Sequence, residues 1–289
     1  MTTIPDEALL ACSQSANGQV VLITGGAKGI GRETALLFGK HGARVVIGDI
    51  DAKGCQDVVD LITGAGGEAI FQPCNVTKWD DLVSLFEKAV ERFGSVDSVI
   101  PVAGVANEEA FEQLKEQSGR PVKPNLTTVE INLTAAIHTS YLAMHYLKKT
   151  KANNRLKSIV LMASMSSWQA IPGVPLYSAS KHGLLGFMRA LAPMAQTEGI
   201  HIASVHPFFV DTGLVPTVMK AVLAGVPLTP VTRVASTVFY AATNPDWAIH
   251  GSTLVLLDDG PVLRLEKENL REGVYGIMNK RAARVQGRL

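Results

Sequence analysis

The stretch Val20-Val21-Leu22-Ile23-Thr24-Gly25-Gly26-Ala27-Lys28-Gly29-Ile30-Gly31 decides how this chain is read. Its apolar first third is a short run of β-branched and leucine side chains, as in a strand buried on both faces. The glycine-rich turn follows, and then a helical stretch from Arg32 to His41. Strand, glycine loop and helix in this order place free backbone N–H groups at a helix amino terminus, where an anion is stabilised. Gly25 permits the tight turn, Gly29 lets the backbone approach a pyrophosphate, and Gly31 allows helix to pack closely on strand. Lys28 and Ile30 complete the loop. Working outward, Ala43-Arg44-Val45-Val46-Ile47-Gly48-Asp49 supplies a second strand that ends in a carboxylate eighteen residues beyond Gly31. An acid at that distance accepts hydrogen bonds from a ribose, so the two segments together read as a dinucleotide site.

A second constellation lies in Leu176 to His182, where Tyr177 and Lys181 are four residues apart. On a helix that spacing points both side chains the same way. A free phenol titrates near ~10, and a cation within roughly 4 to 6 Å favours the phenolate, so Tyr177 is a candidate acid/base that Lys181 would tune. Ser164 lies thirteen residues upstream, at the end of the apolar run Ser158 to Ala163. That run reads as a buried strand with its last hydroxyl at the carboxyl edge, where open α/β sheets collect their functional groups.

These residues carry a family resemblance: the chain resembles the classical short-chain dehydrogenase/reductases over roughly residues 18 to 258. The glycines match the TGxxxGxG pattern, Ser164, Tyr177 and Lys181 have the family's active-site spacing, and Asn132 in Glu130-Ile131-Asn132-Leu133 matches its fourth catalytic position. Within the family the stretch from Tyr141-Leu142 to Phe187 is similar to NAD-linked secondary-alcohol dehydrogenases of the 15-hydroxyprostaglandin dehydrogenase type. The resemblance implies proton transfer by Tyr177, orientation of the substrate oxygen by Ser164, a ribose contact and pKa control from Lys181, and a water-mediated proton path supported by Asn132. It also implies cofactor contacts from Asn75 and Val76 after the third strand, from Ala103 and Gly104 after the fourth, and from Pro207, Val210 and Thr212 after the sixth. Two places depart from the pattern. The usual Asn-Asn-Ala-Gly reads Pro101-Val102-Ala103-Gly104, and the usual Pro-Gly reads Pro207-Phe208. Val174 stands where prostaglandin-oxidising members carry a glutamine, which argues against a prostaglandin substrate.

Composition agrees with a single enzyme domain. A chain of 289 residues, 47% apolar, can bury a substantial core, and a formal net charge of +1 gives no electrostatic reason to propose nucleic acid or a membrane surface. Cys12, Cys55 and Cys74 are odd in number and lack metal-ligand spacing, so free thiols in a reducing compartment are expected, and no metal. The apolar stretch Ala8-Leu9-Leu10-Ala11 is short and preceded by acids, unlike a signal peptide, and no run approaches the ~18 apolar residues of a membrane span. A cytoplasmic location is the expectation.

Apolar periodicity predicts strands near 20–24, 43–49, 68–74, 97–101, 157–164, 201–206 and 252–257, and helices near 29–41, 53–64, 77–93, 126–149, 176–198 and 230–243. This alternation specifies an α/β domain of the Rossmann type, a doubly wound seven-stranded parallel sheet flanked by helices. It is expected over 18–260, with an N-terminal extension at 1–17 and a charged C-terminal tail at 261–289 that is solvated or in contact with another subunit. The irregular segment at 207–230 is long for a loop, and by resemblance it would be a substrate lid, with Phe208, Phe209, Leu214, Val215, Val218 and Met219 as its apolar cover. By resemblance, helices 126–149 and 176–198 would build a homotetramer or homodimer.

Asp49 favours NAD, because a carboxylate at the ribose repels a 2′-phosphate. Lys28 points the other way, since a basic residue there accompanies NADP use in the family, so NADP is the second choice. Trp168, Val174, Phe208 and Leu214, with Ser164 and Tyr177, outline a pocket short of charge, suited to a hydrophobic alcohol of terpenoid, steroid or polyketide type. The expected activity is NAD-dependent oxidation of a secondary alcohol. An NADPH-dependent ketoreductase is the alternative within the class, and a cyclase, isomerase or dinucleotide sensor is the alternative outside it.

Overall fold

The apolar runs read as strands form the middle of one sheet, and their side chains divide between two cores by the two-residue period of a strand. Val21, Ile23, Val45 and Ile47 face one core, while Val20, Leu22 and Val46 face the other. The computed structural model describes residues 1–106, 115–149, 155–210, 212, 225–257 and 260–265. The chain order is β1 (Thr2–Ile4), β2 (Val20–Thr24), α1 (Gly29–Lys40), β3 (Arg44–Asp49), α2 (Ala52–Gly64), β4 (Glu68–Pro73), α3 (Trp79–Phe93) and β5 (Ser98–Pro101). A short hairpin, β6 (Glu116–Gln117) and β7 (Arg120–Pro121), precedes helix α4 (127–149). Then come β8 (Lys157–Met162), α5 (Pro175–Thr197), β9 (Ile200–Pro207), α6 (Val231–Thr243), β10 (Thr253–Leu256) and β11 (Val262–Leu265).

The large sheet runs β1-β11-β10-β9-β8-β5-β2-β3-β4. The seven expected strands are its parallel part, and β2 stands between β3 and β5 where the winding reverses. A crevice opens at the carboxyl ends of the strands at such a switch point, which is where this fold binds ligands. The expectation of a seven-stranded sheet needs correction at one edge. β11 pairs antiparallel with β10, and β1 pairs antiparallel with β11, giving nine strands. The segments expected to be an extension and a charged tail thus contribute strands. The reason is hydrophobic: Ile4, Leu9, Ala16 and Val262 are buried in the core that also holds Val234 and Val238 of α6. An ion pair from Asp6 to Arg233 ties the first residues to α6.

Helix α4 departs from a uniform α-helix. Residues Glu130–Thr134 form a π-helical turn between α-helical flanks, and Asn132 lies inside it. Such turns occur mostly as single insertions at functional sites.

Candidate active site

Three segments meet at the switch point: the glycine loop after β2, the turn after β3, and the segment after β5. Gly25 has φ +73°, and a Cβ there would lie 2.6 Å from the Ala103 backbone, so only glycine fits. At Gly31 a Cβ would come within 2.0 Å of the Gly25 carbonyl oxygen, which sets how closely α1 approaches the loop. Gly29 opens α1 with φ +54°, and Thr212 is held against it, its Cγ2 3.5 Å from where a Cβ would be. No side chain caps the amino terminus of α1. The loop is therefore a backbone cradle of the kind a pyrophosphate needs. Ile30 packs its side chain against the core beneath.

Asp49 accepts from Ala27 N at 3.1 Å through one carboxylate oxygen and from Asp51 N at 3.0 Å through the other. Each oxygen keeps a lone-pair direction for a ribose hydroxyl. Lys28 does not extend freely into solvent, because its Nζ lies 2.7 Å from Asp51 Oδ2. Asn75 Oδ1 accepts from Thr77 N at 3.1 Å and from Thr77 Oγ1 at 2.8 Å. Val76 is buried beside it. Pro101-Val102, where the family pattern has amides, close the sheet through the backbone: Val102 N donates to Thr24 O at 3.1 Å.

Asn132 supplies the bracing those amides would have given. Its Oδ1 accepts from Val105 N at 2.8 Å, and its Nδ2 donates to Val105 O at 2.9 Å and to Ser180 Oγ at 3.4 Å. Ser180 Oγ in turn donates to Tyr177 O at 2.7 Å. One amide thus links the segment after Gly104 to the helix carrying the tyrosine. The π-helical turn aims it there.

Ser164 follows β8, and its Oγ accepts from Ser166 N at 3.1 Å, which leaves the hydroxyl proton to donate elsewhere. Tyr177 sits in the first turn of α5, behind Pro175 at the start of the helix, and its phenol is hydrogen-bonded to Ser164. Lys181, one turn on, is buried, with Nζ 2.9 Å from Met162 O and 5.6 Å from the centroid of the Tyr177 ring. Burial raises the Tyr177 pKa, and the Ser164 hydrogen bond acts to lower it. Burial also lowers the Lys181 ammonium to about 8. The ammonium gives one of its three donors to the Met162 carbonyl.

Two neighbours escaped the sequence reading. His206, fully buried on β9, has Nδ1 3.0 Å from Ser164 O and Nε2 2.8 Å from Ser204 Oγ. A carbonyl can only accept, so Nδ1 carries the proton and Nε2 accepts from the serine hydroxyl. Asp51 is the other, and its cue was its place just before helix α2, a cap position. Among the expected substrate contacts, Trp168 is 37% exposed, with the Arg189 guanidinium 5.0 Å from its ring centroid and His206 5.9 Å away. Val174 stands just before α5. Phe208 is half-buried, anchored by Phe208 N to Leu256 O at 2.7 Å and meeting Phe209 edge to face. Pro207 ends β9, and Val210 is buried and bridged to Thr229. Leu214, Val215, Val218 and Met219 lie outside the described residues.

A glycine cradle at a topological switch point, beside a serine, tyrosine and lysine at the carboxyl edge, defines an oxidoreductase of the dinucleotide-binding α/β class. The short chain dehydrogenase family model matches residues 19–222, and the chain belongs to that family of NAD(P)-dependent enzymes acting on CH–OH groups. It is similar to the cyclohexanol dehydrogenase of Acinetobacter sp. (strain SE19), at 34% identity over 70% of this chain and 77% of that one. It is also similar to the NAD(+) 15-hydroxyprostaglandin dehydrogenase of Mus musculus, at 28% identity over 90% of this chain and 93% of the other. Among solved structures, the 3-ketoacyl-(acyl-carrier-protein) reductase of Brucella melitensis complexed with NADH superposes with a TM-score of 0.72 at 26% identity, covering 84% of this chain and 97% of that one. No helix among the described residues is long and apolar enough to cross a membrane.

Proposed function

We propose that the chain oxidises a secondary alcohol on a hydrophobic small molecule to the ketone, with NAD as the acceptor. The observation that carries this reading is the buried Ser164–Tyr177 hydrogen bond beside Lys181, opening on a glycine cradle whose acid is Asp49. The dinucleotide would be held by Gly25, Gly29, Gly31, Asp49 and Thr212, and its nicotinamide supplies the site that takes up the hydride. Tyr177, ionised to the phenolate, takes up the alcohol proton and becomes the phenol. Ser164, fixed by the Ser166 N–H and by the His206 bond to its carbonyl, donates to the substrate oxygen and steadies the charge that develops there. Lys181 holds ribose hydroxyls and brings its charge to bear on the phenol. Asn132 keeps the Tyr177 helix and the Val105 segment in register.

The half-buried Phe208 and Phe209 and the exposed Trp168 favour an apolar substrate. The names of the cyclohexanol and prostaglandin dehydrogenases support oxidation of a secondary alcohol, and the latter supports NAD. Lys28 favours the second reading, reduction of a ketone with NADPH, and the likeness to a ketoacyl reductase, whose structure holds NADH, supports reduction without supporting NADPH. A cytoplasmic homo-oligomer is part of the proposal, with Tyr141 and Met194 exposed on helices α4 and α5 for subunit contact.

Calorimetric titration with NAD(H) and NADP(H), followed by a screen of cyclic and long-chain secondary alcohols against sugar alcohols, tests the reading. Tighter binding of NAD(H) and turnover of the apolar alcohols is the expected result. Preference for NADP(H) would move the assignment to the ketoreductase, and turnover of sugar alcohols alone would remove the apolar pocket.

A further inference from the structure

We propose that Asp51 is a specificity-determining residue, holding Lys28 so that it cannot serve a 2′-phosphate. The proposal rests on the NAD reading and explains how the site keeps that preference while carrying a lysine in its glycine loop.

The argument begins with the position of Asp51. It precedes α2, and its Oδ1 accepts from Gly54 N at 3.0 Å, so the carboxylate is oriented by the helix it caps. Its Oδ2 is left to face the glycine loop, where Lys28 Nζ meets it at 2.7 Å. The approach is close because Gly54 has no side chain: a Cβ there would lie 2.9 Å from Asp51 Oδ2 and 3.0 Å from Ala27 Cβ. The same two segments are joined again beneath, where Asp49 accepts from Ala27 N and from Asp51 N. Asp49 fixes the Asp51 backbone, and Asp51 fixes the Lys28 side chain. The lysine pKa is raised by this arrangement, first by the Asp51 hydrogen bond and with a contribution from Asp49, so Lys28 is a full cation in the pair.

The charge count gives the consequence. Asp49 and Asp51 are two carboxylates, with Lys28 ion-paired to Asp51 and Lys53 also acting on it. A neutral 2′-hydroxyl donates to Asp49 without charge repulsion and leaves the Lys28–Asp51 pair intact. A 2′-phosphate must overcome repulsion from both acids and compete with Asp51 for Lys28. The pair is exposed, with Lys28 at 80% side-chain exposure, so it contributes little to stability and its effect lies in selectivity. Asparagine at position 51 keeps the cap acceptor for Gly54 N and removes only the charge, which makes it a conservative probe.

The test is calorimetric titration of the full chain and of Asp51→Asn, Lys28→Ala and the double variant with NADH and NADPH. Circular dichroism checks that each is folded. In Asp51→Asn the ratio of NADPH to NADH affinity should rise roughly fivefold at low salt, as expected for an exposed charge pair meeting a phosphate. The rise should shrink at high ionic strength. In Lys28→Ala/Asp51→Asn most of the gain should disappear. An unchanged ratio in Asp51→Asn overturns the proposal, and so does an equal gain in the double variant, which would assign the effect to simple repulsion. A starting protein that already prefers NADPH overturns the NAD reading itself, and with it any need for Lys28 to be held. A starting protein that prefers NADH and whose ratio ignores Asp51 leaves that reading standing and removes this proposal alone.

Discussion

Tyr177 faces opposing influences in the protein alone. Burial disfavours the phenolate, and the Ser164 hydrogen bond favours it. Lys181, with Nζ 5.6 Å from the Tyr177 ring centroid, places an ammonium beside the phenol while donating to Met162 O. Replacing Tyr177 by Phe removes the proton acceptor and keeps the ring, so dinucleotide affinity should persist while kcat/KM falls about 10²- to 10⁴-fold. Steady-state turnover measured beside calorimetric NADH binding checks this, and unchanged turnover would remove Tyr177 as the acid/base. Ser164→Ala should cost about 10²- to 10³-fold in kcat, because it deletes the one hydroxyl placed to stabilise developing charge. The thiols of Cys55 and Cys74, by contrast, are pushed up to about 12 chiefly by burial, which disfavours the thiolate.

At the scale of elements, the glycine loop and the π-helical turn position those side chains. Gly31→Ala would drive a Cβ into the Gly25 carbonyl, so the loop must shift. A loss of about 1–3 kcal/mol in stability is expected, together with at least a tenfold loss of dinucleotide affinity, read by thermal unfolding and by titration. Asn132→Ala would leave Val105 N and O without their partner in a part-buried place, at a cost of about 1–3 kcal/mol. The loop was legible in the sequence because glycine is required by sterics local to the loop and its packing on one strand end. The π-helical turn was not. Glu130-Ile131-Asn132-Leu133 fits an α-helix by periodicity, and the extra residue in the turn serves a hydrogen bond to Val105, twenty-seven residues away. Asp51 and His206 were missed for the same reason. Each is an ordinary residue type whose role depends on a tertiary partner, Lys28 for one and the Ser164 carbonyl for the other.

The whole molecule departs from the sequence reading at its termini, which help to build the sheet. A three-residue strand carries too little periodicity to be read, and the pairing of β1 with β11 joins segments about 260 residues apart. If residues 1–17 were a loose extension, Leu9→Ala would cost nothing. With Leu9 only 3% exposed beneath α6, it should cost about 2–4 kcal/mol in urea unfolding. The fold as a whole is also tuned against acid. Burial first, and then Lys181 and Arg189, hold the His206 imidazole down to about 3, against the opposing pull of its bond to Ser164. His201, tilted against Trp247 with ring centroids 4.1 Å apart, is lowered to about 4 by burial and by His250, with Asp246 acting the other way. In the unfolded chain both titrate near ~6.5, so below that pH the unfolded state takes up protons that the folded state refuses. Their contribution is therefore complete above about pH 6.5 and is lost as the pH falls toward 4 for His201 and 3 for His206. His201→Phe can keep the ring contact with Trp247 without the titrating nitrogens, and the buried Nδ1 it removes has no partner among the described residues. Urea midpoints at pH 7.0, 5.5 and 4.5 should fall less steeply for that variant than for the parent chain, by up to about 1 kcal/mol per pH unit within the window. Parallel slopes would show that His201 takes up its proton equally in the folded and unfolded chain and that its burial does not govern acid stability.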